Sequence, residues 1–140
     1  MIILDTNVVS ELRKEANNRC EPKVSLWAAT IDISNTYLSV ITVLEIELGI
    51  RQISRRDNEQ ATKLQTWFDQ LMRLYDKRLM PVDKKVAMRA ASLHVPDPKP
   101  ERDAIIAATA LAHGFSLATR NTKDFETLNL AIINPWQHSA

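Results

Sequence analysis

Four acids in this chain stand where a carboxylate could do more than solvate a surface: Asp5, Glu45, Asp103 and Asp124. Asp5 ends the apolar run Ile2-Ile3-Leu4 with no spare residue between. That run reads as a buried strand. A strand that hands a carboxylate directly to a following helix has the geometry of an α/β active site. Glu45 falls one helical turn after a second strand-like stretch, and Asp124 follows a stretch ending at Ala118. Asp103 opens an apolar helix but is reached from a connector, so the pattern leaves its edge open. Each acid also has a local explanation. Asp5 could cap a helix. Glu45 fits a capping box, Thr42-x-x-Glu45. Asp103 suits the macrodipole of a first helical turn, and Asp124 could cap a short helix. Those roles leave unexplained why an acid joins a strand directly.

If the four converge, the chemistry is narrow. Two carboxylates about 4 Å apart repel by roughly 4 kcal/mol at an effective dielectric near 20. Such a cluster binds protons or holds a cation. An all-oxygen site suits Mg²⁺ or Mn²⁺, ions that keep waters and bridge to substrate phosphates. Phosphodiester hydrolysis follows naturally, with no covalent protein nucleophile. Phosphates need cations. Arg120 and Lys123 flank Asp124 and are the expected contacts; Arg13, Lys14, Arg51, Arg55 and Arg56 lie elsewhere along the chain. His94, His113 and His138 lack metal-ligand spacing. Trp67 and Phe68 read as core or dimer contacts.

Strands alternating with helices must position these acids. After Leu4 a helix runs through Val8 to Leu12, residues 15–21 form a polar loop, and Pro22 opens a helix with Val24, Trp27, Ala28 and Ile31 inward. Thr36 to Ile41 is a β-branched and aromatic strand. A helix capped at Thr42 ends near Gly49. A long helix runs from Asn58 through Tyr75, then Leu79 to Val82 is a brief edge strand and Asp83 caps a further helix. Pro96, Pro98 and Pro100 mark an irregular connector. The apolar helix 104–113 ends at Gly114 in a left-handed cap. Phe115 to Ala118 and Ala131 to Ile133 are strands, with a short helix near Asp124. This alternation predicts one α/β domain over residues 1–140: a parallel sheet covered on both faces. In such a sheet the loops after the strands share one edge, and ligands bind there.

Composition excludes other classes. Of 140 residues only two are glycine, so no P-loop and no Gly-x-Gly-x-x-Gly can form. The net charge of +1 confines any basic surface to a local patch. Cys20 is alone and makes no internal disulfide. No stretch is long and apolar enough for a signal peptide or membrane span. A soluble, cytoplasmic protein is expected.

The run Leu4-Asp5-Thr6-Asn7-Val8-Val9-Ser10-Glu11, then Glu45 ahead of Gly49, then Arg102-Asp103-Ala104-Ile105-Ile106-Ala107-Ala108, then Thr119-Arg120-Asn121 with Asp124-Phe125, resembles the PIN-domain ribonucleases, most of all the VapC/FitB-type toxins of toxin–antitoxin pairs. The resemblance spans first strand to last. It implies a three-layer α/β/α domain with a central parallel sheet of four to five strands. It implies a Mg²⁺- or Mn²⁺-dependent endoribonuclease whose metal-binding acids are Asp5, Glu45, Asp103 and Asp124, the fourth more peripheral. Thr6, Thr119 and Asn121 fall where the family supports those acids. The implied partners are an RNA substrate, a homodimer mate and a small antitoxin that blocks the site and carries the DNA-binding module. A proline-rich connector before Asp103 departs from the family pattern and bears on the cleft or the partner surface. A haloacid-dehalogenase phosphatase would want an acid at position 7, where Asn7 stands. A receiver domain would want an acid pair after the first strand. A non-catalytic binding module with this fold is the remaining alternative.

Overall fold

Ile3 and Leu4 are neighbours in sequence but serve two different cores. Successive strand residues point to opposite faces. Ile3 packs among Val86, Ala90, Leu93, Ile106, Leu117 and Phe125, whereas Leu4 packs among Val8, Trp27, Leu38, Ile46, Phe68 and Ala118. The strand is therefore apolar on both sides, which is why it reads as an unbroken apolar run. The computed structural model describes residues 1–139. Among these, β1 (Ile2–Leu4), β2 (Thr36–Ser39), β3 (Leu79–Met80), β4 (Ser116–Ala118) and β5 (Ile132–Ile133) form one parallel sheet in the order β3-β2-β1-β4-β5. Helices α1 (Thr6–Arg13), α2 (Pro22–Ala29), α3 (Val40–Ser54) and α4 (Asn58–Leu74) supply one apolar layer; α5 (Lys84–Leu93) and α6 (Glu101–His113) supply the other. The result is a three-layer α/β/α domain. No helix among the described residues is long and apolar enough to cross a membrane.

Strand order matters most for the site. The chain steps outward from β1 through β2 to β3, then returns to the other side of β1 for β4. The order reverses between β1 and β4, and ligand sites of open α/β sheets form at such a switch point. Residues at the C-terminal ends of these two strands, Asp5 and Thr119, thus meet at one edge of the sheet.

Several boundaries differ from the sequence expectation. The second strand stops at Ser39, whose hydroxyl accepts from the Ile41 amide at 3.0 Å and caps α3. Thr42 is consequently inside the helix and buried, not its cap. The helix does not end near Gly49 but continues to Ser54, because Ile46 and Ile50 bury one face against the core and outweigh the poor propensity of one glycine. An added Cβ at Gly49 would meet nothing within 4 Å. Gly49→Ala should therefore stabilise the fold by about 0.5–1 kcal/mol, read as a raised thermal midpoint; an unchanged or lowered midpoint contradicts the assignment. At Gly114, φ is +69°, so the left-handed cap expected there is present. No short helix follows Asp124. Residues 123–128 form turns held by Phe125 N to Thr122 O (3.1 Å) and Leu128 N to Phe125 O (3.0 Å), with Phe125 anchoring the loop in the core.

Candidate active site

Asp5 continues β1 and begins α1 at once. Its amide donates to Ala118 O at 2.9 Å, extending the ladder to β4, while its carbonyl accepts from Val8 N and Val9 N. Its carboxylate accepts from the Thr6 amide (2.7 Å), the Thr119 hydroxyl (2.7 Å) and the Asn7 side-chain amide (3.2 Å). The side chain is a helix cap, but one fixed by donors from two strand ends and only 4% exposed.

Glu45 is not in a capping box. Its Oε1 accepts the Thr6 hydroxyl at 2.7 Å, and Thr42 lies 2.9 Å from that same hydroxyl. With its one proton committed to Glu45, the Thr6 hydroxyl accepts from Thr42. Thr42 is a supporting residue that the sequence reading placed wrongly, because position 42 looks like a cap until Ser39 is seen to fill that role. The other oxygen of Glu45 lies 3.8 Å from Arg102 Nη1.

Asp103 sits in the first turn of α6, where Pro100 O accepts the Ala104 amide (2.9 Å), so the proline connector delivers the acid to the crevice. Asn121 joins the remaining members. Its amide donates to Asp124 Oδ2 at 2.8 Å and to Asp103 Oδ2 at 3.4 Å, and its backbone N–H donates to the Thr119 hydroxyl at 3.0 Å. Asp5, Glu45 and Asp103 line one cleft of about 460 Å³ with Thr6, Asn7, Ser10, Glu11, Lys14, Arg120 and Trp136. Asp124 is not in that lining; Asn121 hydrogen-bonds it to Asp103. Lys123 is exposed and also outside the lining. A wider depression of about 700 Å³ lies over the outer face of α5, around Lys84, Met88 and Arg89, and gathers no acid cluster.

The electrostatics follow from this crowding. Burial raises the Asp5 carboxyl above its ordinary value; the Thr119 bond opposes that, and the charges of Asp103 and Glu45 add to it. Burial also raises Asp103, against the Asn121 bond and with help from Asp124. As the side chains stand, no three His, Cys, Asp or Glu among the described residues are gathered closely enough to chelate an ion. They share a cleft rather than a point. The donors are nonetheless all oxygen and mutually repelling, a set that suits a hard divalent cation. A folded pKa above the unfolded one costs stability once pH exceeds the folded value, and that cost disappears below the unfolded value. Asp5→Asn should therefore melt higher than the wild type at pH 7 without divalent ions. The gap should narrow as pH falls through the raised Asp5 range, and a pH-independent gap would contradict the assignment.

Trp136, which also lines the cleft, is not among the residues expected from the sequence. It could have been found, since Asn134-Pro135-Trp136 follows a strand and so emerges at the active edge. Cys20 stands apart; burial and Glu15 push its thiol up to about 11, which makes it a poor nucleophile.

A three-layer fold with Asp5, Glu45 and Asp103 lining one cleft at the switch point defines a class of α/β domain with an acidic cleft. The PIN domain family model matches residues 2–129, and the chain belongs to that family, as a member of the VapC/FitB type. It is 36% identical to the VapC ribonuclease Y4jK of Sinorhizobium fredii across 98% of this chain and 99% of the relative. It is 34% identical to Toxin FitB of Neisseria gonorrhoeae across 97% and 99%. A solved structure of FitAB bound to an IR36 DNA fragment superposes with a TM-score of 0.87 at 31% identity, covering 100% of this chain and 99% of that one.

Proposed function

We propose that this protein is a Mg²⁺- or Mn²⁺-dependent endoribonuclease and the toxin of a toxin–antitoxin pair. The observation that carries the reading is the meeting of Asp5, Glu45 and Asp103, from three separate parts of the chain, in one cleft at the switch point. Relatives named as a ribonuclease and a toxin over nearly their full length support it.

Asp5, Glu45 and Asp103 would hold the metal, with Asp124 acting through Asn121. A bound divalent ion supplies an activated water and charge stabilisation at the leaving oxygen. The chain's own residues do the rest. Thr119 fixes the rotamer of Asp5, and Thr6, itself held by Thr42, fixes Glu45. Asn121 holds Asp103 and Asp124 at a set spacing. Arg120, exposed at the cleft, takes substrate phosphate, with Lys123 a lesser contributor along the same loop. Thr119→Val removes a buried donor to Asp5 and should lower cleavage about 10–100-fold, the usual cost of losing a ligand's hydrogen-bonded support; rates within twofold of wild type would show that Thr119 does not hold the acid.

The partner in this reading is a small antitoxin through which the protein reaches DNA; the likeness to FitAB, solved bound to a DNA fragment, supports it. An apolar stripe on α3, Val40, Leu44 and Leu48, faces solvent at helical spacing and suits a homodimer. A catalytically weak, partner-binding module is the second reading, and the unclosed acid set is what favours it. The test is RNA cleavage by purified protein with Mg²⁺ or Mn²⁺ and with EDTA. Metal-dependent cleavage supports the nuclease. No cleavage of any RNA class, with no metal-dependent rise in melting temperature, supports the module.

A further inference from the structure

The cleft does not end at the acids. It runs along α1, past Ser10 and Glu11 to Lys14, one residue beyond the helix. From Asp5 to Lys14 is roughly 13 Å of helix rise, room for a stretch of strand rather than a single phosphate. Its character changes along the way. Glu11 stays ionised: the Glu21 amide, at 2.9 Å, and then Lys14, at 3.2 Å, hold its carboxyl below the ordinary range. Glu11 and Lys14 therefore neutralise each other, and the charge left over in this part of the cleft is that of Arg120.

Arg120 leaves the end of β4, and Trp136 leaves the end of β5, the adjacent strand. Trp136 is carried on a 3₁₀ turn, Pro135–Gln137, pinned by Asn134 Oδ1 accepting from the Trp136 amide at 3.0 Å, with Pro135 buried beneath. The indole packs against the core beside α2 through part of its surface. The Arg120 guanidinium lies over the ring, 5.1 Å from its centroid. Among the described residues that guanidinium has no ion pair within 4 Å, so its N–H donors remain available. A planar guanidinium stacked on an aromatic face is also pre-organised as a lysine ammonium cannot be.

We propose that Arg120 and Trp136 form a substrate-strand subsite beside the acids, in which Trp136 is a positioning residue that holds the Arg120 guanidinium to receive an RNA phosphate adjacent to the one cut. This rests on the ribonuclease reading and adds the residues that would hold the strand next to the reaction centre.

The experiment measures binding of a fluorescein-labelled, mixed-sequence single-stranded oligoribonucleotide across a KCl series in EDTA, in the Asp5→Asn background. Wild-type cleavage with Mn²⁺ or Mg²⁺ is measured in parallel. Arg120→Gln should weaken binding about fivefold in 0.1 M salt and flatten the log–log salt slope by about 0.7, the share of one phosphate contact on a single strand. Trp136→Leu should reproduce that loss and Trp136→Phe should restore it. The double variant should bind no more weakly than Arg120→Gln alone. Arg120→Lys, an exposed change that keeps the charge, should still lose most of the contact, and it decides the matter if Trp136→Leu fails to fold. A Trp136→Leu slope equal to the parent's, losses that add in the double variant, or wild-type-like binding by Arg120→Lys each overturn the subsite. A wild type that cuts no RNA overturns the ribonuclease reading and the subsite with it; one that cuts RNA while these slopes stay fixed overturns the subsite alone.

Discussion

Asp5→Asn is expected to lower metal-dependent RNA cleavage by more than about a hundredfold. Losing a ligand's supporting partner typically costs about 10–100-fold, and Asp5 is the proposed ligand itself. It accepts three hydrogen bonds and is nearly closed off from solvent, so no neighbouring acid can swing into its place. Asn keeps the volume and one acceptor, which leaves the cap on α1 largely intact. The loss should therefore appear with an unchanged fold and with a melting temperature that no longer rises on adding Mn²⁺. Measuring both separates a missing ligand from a damaged domain. Cleavage that survives both the substitution and EDTA would falsify the metal mechanism.

Phe125→Ala should have the largest effect on stability, about 3–5 kcal/mol by analogy with buried aromatic truncations, against a total of about 5–15 kcal/mol for a domain. Phe125 is 1% exposed and is the anchor of the loop that follows β4. That loop carries Arg120, Asn121 and Asp124 within five residues of the anchor. Releasing it should loosen the amide that spaces Asp103 from Asp124. Activity per folded molecule should then fall as well as the unfolding free energy. Phe68→Ala supplies the contrast. It empties a comparable site in the opposite core layer, so it should cost similar stability and leave the activity of the folded fraction near wild type. Equal losses of activity in both variants would show that the loop anchor has no special relation to the site.

Much of this was legible in the chain. The apolar run ending at Asp5 announced a strand buried on both faces, and its two residues Ile3 and Leu4 do serve two cores. Gly114 at φ +69° and Asp83, whose Oδ1 accepts the Val86 amide at 3.0 Å, are local signals whose physics is complete within a few residues, so they could be read directly. Boundaries failed where tertiary burial outweighed local preference. Thr42 looked like a cap because a serine and a threonine three residues apart both suit that role, and only the tertiary structure, in which β2 ends at Ser39 and Thr42 is buried against Thr6, sets which one lies at the helix end. Gly49 looked like a terminus because glycine usually is one, but a helix with a buried face runs through it. The four acids and their order belonged to the sequence. The meeting of three of them, Asp5, Glu45 and Asp103, in one cleft did not, since it depends on the order of the strands in the sheet, and strand order leaves no trace in residue spacing. The same holds for Asn121 bridging Asp103 to Asp124, and for Arg120 meeting Trp136 from the next strand. Residue types determine which groups can bind a cation or a phosphate; contacts between distant segments of the chain depend on the sheet that brings them together.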